Sequence, residues 1–122
     1  MKKQDLSKIS TKELVEAYIK IGLYQYKLDA DEIGKYNRSY LKKRAIESEL
    51  KARPGDQRRA LMALYDYPNM QVRLNAATAT LAVAPAEARR LLQDIHASGW
   101  PPQCYQAGSL VRGLDDGTFK PT

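Results

Sequence analysis

Leu61-Met-Ala-Leu-Tyr-Asp-Tyr-Pro-Asn-Met-Gln-Val-Arg-Leu-Asn-Ala-Ala-Thr-Ala-Thr-Leu81 decides the fold class. It reads as a short helix, a turn at Tyr67-Pro68-Asn69, and an Ala-rich helix with apolar residues on two faces. A helix that is apolar on two sides is buried on both, as in stacked helical pairs. Small side chains are needed where neighbouring helices approach, so Ala76 and Ala79 are expected to be inaccessible.

The reading extends in both directions. Toward the C-terminus, Ala84-Pro85 ends the Ala-rich helix near 83, and Pro85 suits the first turn of a helix over 85–97. Gly99 and Pro101-Pro102 make the next break, before a helix over 102–114. Asp115 to Thr122 holds Gly117 and Pro121 and reads as a loose tail. Toward the N-terminus, a short helix is expected over 56–66, with Asp56 as its cap. Arg53-Pro54-Gly55 closes a helix over 31–52, because the residue before proline avoids helical geometry. Asp29, Asp31 and Glu32 lie where the helix dipole favours acids. Ser10-Thr11-Lys12-Glu13 fits a capping box and opens a helix over 11–29. Behind it Leu14, Ala17, Tyr18, Ile21, Tyr24, Gln25 and Leu28 share one helical face. No segment sustains period-two alternation. The expectation is an all-α fold of about six helices, with HEAT-like antiparallel pairs of the α-α superhelix type in a single compact domain. A flexible N-terminus over 1–9, the helical domain over 10–114 and a tail over 115–122 complete the organisation.

Composition narrows the function. At 122 residues there is room for one domain. Its 43% apolar and 28% charged residues match an ordinary globular protein and argue against disorder. A lone cysteine, Cys104, excludes an internal disulfide. The start Met1-Lys2-Lys3 has no apolar run behind it, so it does not read as a signal peptide. No run of about 18 apolar residues exists to span a membrane, and a cytoplasmic protein is expected. The net charge of +6, from 20 basic and 14 acidic residues, permits an anionic partner.

Catalytic constellations are missing from the pattern. His96 is the one histidine, late in a helix, where a cation is favoured. Cys104 has no metal-ligand spacing around it and shares a face with Ala107, Val111 and Leu114, so it reads as a small core residue. Asp29, Asp31 and Glu32 read as helix-start chemistry, and Asp115-Asp116 as tail. There is no glycine-rich phosphate loop and no G-x-S-x-G. No enzyme, metal or cofactor is expected.

The helix over 31–52 is the most informative for binding. Ile33, Tyr36, Asn37, Tyr40, Arg44 and Glu47 share one face, with Arg44 and Glu47 spaced for an ion pair. The favoured reading is a buried, hydrogen-bonded network that satisfies Arg44. The alternative is a partner surface or pocket lined by Tyr36, Asn37, Tyr40 and Arg44. Lys35, Arg38 and Lys42 share another face and are candidate anion-binding residues. Five of the eight tyrosines lie between Tyr18 and Tyr40, which also keeps a homodimer or partner surface open on the first two helices.

Val72-Arg73, Ala76-Ala77, Leu81 and Pro85 together resemble the second half of a HEAT repeat, over residues 57–96. In such stacks an arginine at the place of Arg73 bonds an acid or carbonyl near the turn, and Asp66 is the candidate. Through Asn37-Arg38, Glu49-Leu50-Lys51 and the run from Val72 to Leu81, the whole chain resembles a family of small uncharacterised bacterial proteins, a domain of unknown function with an ARM/HEAT-like fold. That resemblance implies a fold and no activity. The functional expectation is a non-catalytic protein-interaction module, such as a bacterial immunity or adaptor protein. Weak non-specific nucleic-acid binding through the basic helix 31–52 region is the alternative. No membrane partner is expected.

Overall fold

Ser10 caps the first helix. Ser10 Oγ accepts from the Glu13 backbone N–H at 3.1 Å and donates to the Glu13 carboxylate at 3.0 Å, and helix α1 runs Thr11–Lys27. In the computed structural model, which describes residues 5–122, every regular element among those residues is helical. Residues 1–4 of the expected flexible N-terminus lie outside them. After α1 come α2 (Ile33–Ala52), a 3-10 segment (Gln57–Leu64), α3 (Met70–Thr80), α4 (Pro85–Ser98) and α5 (Gln103–Asp116).

Several boundaries differ from expectation for local reasons. Gln57–Leu64 is a 3-10 segment and not an α-helix. Gly55 and Asp56 both have positive φ just before it, and the Asp56 carboxylate is turned onto the Arg58 guanidinium at 2.9 and 2.7 Å. The segment therefore starts without an extended-backbone cap, although the Asp56 carboxylate also accepts from the Arg58 backbone N–H at 3.4 Å. Helix α3 is well capped, with Asn69 Oδ1 accepting from the N–H groups of Gln71 and Val72 at 2.9 and 3.1 Å. It stops at Thr80, earlier than the expected 83. The Thr80 hydroxyl bonds back to the Ala76 carbonyl at 2.8 Å, and the Thr80 carbonyl accepts from Val83 and Ala84 at 3.1 and 2.8 Å. Arg73 donates to the Tyr67 carbonyl at 2.5 Å, so a turn carbonyl takes the place offered to Asp66. Beyond α5, Thr118 bonds the Asp116 carboxylate and the Phe119 N–H donates to the Gly113 carbonyl at 3.1 Å. Phe119 packs onto the apolar cluster below, so the segment read as a loose tail turns back through this residue.

The chain divides into two compact units, Met1–Ala60 and Leu61–Thr122. In the first, α1 packs on α2, and a 3-10 turn at Leu6–Lys8 lies against α2. Arg53 closes this unit. Its guanidinium reaches Glu49 at 2.9 Å, Thr11 Oγ1 at 3.0 Å, and the carbonyls of Leu6 and Ile9 at 3.0 and 2.5 Å. In the second unit α3 packs on α4, α4 on α5, and α3 also meets α5. Its centre is Leu74, Ala77, Leu81, Ala88, Leu92, Ile95 and Ala107. Ala76 is fully buried, as a two-sided helix requires. Ala79, in the last turn before α3 ends, is half-buried and departs from the expectation. Cys104 is buried, whereas His96 is exposed with Nδ1 3.0 Å from the Cys104 carbonyl oxygen. Gly108 permits that contact: a Cβ there would stand 2.5 Å from His96 Nδ1. No helix among the described residues is long and apolar enough to cross a membrane.

Candidate functional site

The buried face of α2 consists of Ser39, Lys43, Ile46, Glu47 and Leu50. At 3.6 residues per turn, that face is turned by roughly one residue from the one expected. Only Glu47 belongs to both. Ile33, Asn37, Tyr40 and Arg44 are exposed and Tyr36 is half-buried. Arg44 is not a buried arginine, since 60% of its side chain is in solvent, although it does pair with Glu47 at 3.2 Å. The sequence pattern misleads because Ser39 and Lys43 look like solvent residues, while Ile33 and Tyr40 look like core.

A buried polar network does exist, around other residues. Glu47 is its hub. Its Oε2 accepts from the Tyr18 hydroxyl at 2.6 Å and from Lys43 Nζ at 3.1 Å. Lys43 is itself buried, and its ammonium sits 5.0 Å from the centre of the Tyr40 ring. Burial, followed by the negative charge of Glu47, pushes the Tyr18 phenol well above the ordinary tyrosine range, so it stays a donor. Beside the hub, Gln25 donates to Ser39 at 3.2 Å. Neither Tyr18 nor Lys43 is among the site residues that the sequence suggests. The available signal was their spacing: Lys43 lies four residues before Glu47, and Tyr18 sits on the apolar face of α1.

What remains outside is a surface. Ile33, Asn37, Tyr40, Leu41 and Arg44 form a continuous exposed arc of α2, with Ile33 69% and Leu41 67% exposed. Lys35, Arg38 and Lys42 are all exposed and lie on another side of the helix. Residues two positions apart on a helix are about 200° apart around its axis, so Tyr40 and Lys42 point away from one another. Lys35 is partly neutralised by Glu32 at 3.0 Å, a bond that raises the lysine's pKa and lowers the glutamate's. The carboxylates of Asp29, Asp31 and Glu32 lie within 4.8 Å of one another and offer oxygen ligands suited to a hard cation. Lys35 already occupies one of them.

The model of a domain of unknown function, DUF2019, matches residues 12–115. The chain belongs to that family. It is also similar to a solved structure, the protein RPA1889 from Rhodopseudomonas palustris CGA009. The two are 49% identical over 98% of this chain and 100% of that one, with a TM-score of 0.94. No curated protein matches the chain. The family is one of unknown function, so a functional reading rests on the geometry.

Proposed function

We propose that this DUF2019 protein is a non-catalytic protein-interaction module of the adaptor or immunity type, and that the exposed arc of α2 is its contact surface. The observation that carries the reading is the exposure of Ile33, Tyr40 and Leu41 together on one helix that also buries a charged hub. Contiguous exposed apolar side chains rimmed by polar ones mark interaction sites. Tyr40 and Arg44 are residue types enriched at the energetic centres of interfaces. The serial packing of α3, α4 and α5 supports the HEAT-like reading, since stacked helical pairs present broad surfaces to partners.

The test is a pair of outward substitutions, Ile33→Asp and Leu41→Asp. Both residues are exposed, so the melting temperature should hold while a partner captured from cell extract by the parent protein is lost. Capture that survives the double variant would defeat the assignment to α2.

Nucleic-acid binding has one observation in its favour: Lys35, Arg38 and Lys42 are all exposed on one side of α2. Such binding would be sequence-independent and steeply salt-dependent. Mobility-shift assays at about 50 mM salt, where such binding is strongest, test it, and absence of retardation removes it.

A further inference from the structure

The second unit contains an open groove of ≈ 380 Å³, walled by Tyr65, Asp66, Glu87, Arg90, Leu91 and Asp94. Four of these come from α4, where Glu87, Arg90, Leu91 and Asp94 follow the i, i+3, i+4, i+7 spacing of one helical face. The base is apolar and fixed. Leu91 and Tyr65 pack onto the core cluster, and the Tyr65 hydroxyl is held by Thr80 Oγ1 at 2.5 Å. Burial raises the Tyr65 phenol's pKa, the hydrogen bond to Thr80 opposes that rise, and the negative charge of Glu87 adds to it.

The charges around this base are uncommitted. Glu87 and Arg90, and Arg90 and Asp94, are spaced for ion pairs along α4. The described residues nevertheless form six ion pairs, and Asp66, Glu87, Arg90 and Asp94 belong to none of them. Three carboxylates against one guanidinium give the groove a negative field in a chain whose net charge is +6. Lysine and arginine lay an aliphatic stem along apolar surface while keeping a cationic head among acids.

We propose that this groove is a second docking site, and that its occupant is a segment of a partner protein presenting an arginine or lysine beside an apolar residue. The stem lies along Tyr65 and Leu91, and the cationic head is shared among Asp66, Glu87 and Asp94. The site is on the second unit and stands or falls independently of the α2 surface.

The probe is a capped five-residue peptide alternating leucine and arginine, titrated into the full chain and followed by backbone amide shifts. The control peptide carries citrulline for arginine, which keeps the shape and removes the charge. The expected result is perturbation centred on Asp66, Glu87, Leu91 and Asp94, with the citrulline peptide at least about tenfold weaker, as befits the loss of a charge-assisted contact. Glu87→Gln with Asp94→Asn should weaken the arginine peptide to the same degree without moving the melting temperature, since both residues are exposed. Three outcomes would overturn the proposal. Shifts could spread equally to Asp29, Asp31, Glu32, Asp115 and Asp116, which would indicate diffuse charge attraction. The double variant could bind as tightly as the parent. Or the parent could self-associate through this groove in sedimentation while the double variant does not, making a second copy the occupant. Because α2 is untouched, its own substitutions read separately.

Discussion

The two units bury different chemistry. The buried polar residues of the first are Gln25, Ser39, Lys43, Glu47 and Arg58, three of them charged. Those of the second are Gln71, Asn75, Thr80 and Gln103, all neutral. The amides form a chain in which Gln103 donates to Gln71 at 2.9 Å and Gln71 to Asn75 at 2.9 Å. Net charge divides the same way: 15 basic against 9 acidic residues up to Ala60, and 5 against 5 beyond it. The second unit is held mainly by an apolar jigsaw. The first depends on a pairing among charges, which leaves apolar side chains of α2 free to face outward. Its stability should therefore be sensitive to single charged groups.

Glu47→Ala offers the largest test of that difference. It would strand the buried Lys43 ammonium and remove the Tyr18 acceptor, so unfolding should become easier by about 3 to 5 kcal/mol, the usual cost of leaving a buried charge unpaired. Denaturant titration checks this. A loss below about 1 kcal/mol, typical of exposed pairs, would mean that the hub is not the organising feature of the first unit.

Tyr18→Phe probes the same hub with less damage. It deletes a 2.6 Å bond to a carboxylate and leaves the ring in place. The expected loss is about 1.5 to 3 kcal/mol, the range for hydrogen bonds to charged groups. The substitution also has a pH signature. An unfolded tyrosine ionises near pH 10, whereas Tyr18 in the folded protein is raised well above that. Below pH 10 both states keep the proton, so the contribution is fully present. Above it the unfolded state loses the proton first, and stability declines as pH rises. The Phe variant should show a shallower alkaline decline than its parent.

On the apolar side of the comparison, Ala76→Leu should overpack α3 and cost about 1 to 3 kcal/mol. Ala76 is fully inaccessible. An unchanged melting temperature would show that α3 has room on its second face. The half-buried Ala79 should tolerate the same change better, which makes the pair a direct measure of where close packing stops.

Much of this was legible in the sequence, for identifiable reasons. Capping boxes, prolines and Asn69 are local signals, and the helices they delimit came out within a few residues of expectation. The Ala-rich run from Ala76 to Ala77 had one interpretation, burial between neighbours. Two things were not legible. The rotation of α2 turns on whether a lysine or a tyrosine faces inward. Pattern assigns tyrosine to the core, and only the presence of Glu47 and the Tyr18 hydroxyl on the neighbouring helix makes a buried Lys43 tolerable. Asp66 is matched in the sequence only with Arg73, and Glu87 and Asp94 carry no expectation, because the three are separated along the chain and a groove that unites a turn with a later helix leaves no local trace.

The smallest expected effect falls on the residue that the sequence made central. Arg44 was the candidate for a buried, paired arginine, yet most of its side chain is solvated and its bond to Glu47 spans 3.2 Å. A helical pair at this spacing whose cation is largely solvated is worth only about 0.3 to 0.5 kcal/mol. Glu47 keeps Tyr18 and Lys43 when Arg44 is removed, so nothing buried is stranded. Arg44→Ala should therefore change stability by no more than about 0.5 kcal/mol, as ordinary surface substitutions do. Its consequence should appear in binding, because Arg44 sits in the exposed arc with Ile33, Tyr40 and Leu41. A loss of several kcal/mol on unfolding would place Arg44 inside the hub and shrink the contact surface assigned to α2. Unchanged stability with weakened partner capture would separate the two roles of this helix, with one face holding the first unit together and the other meeting the partner.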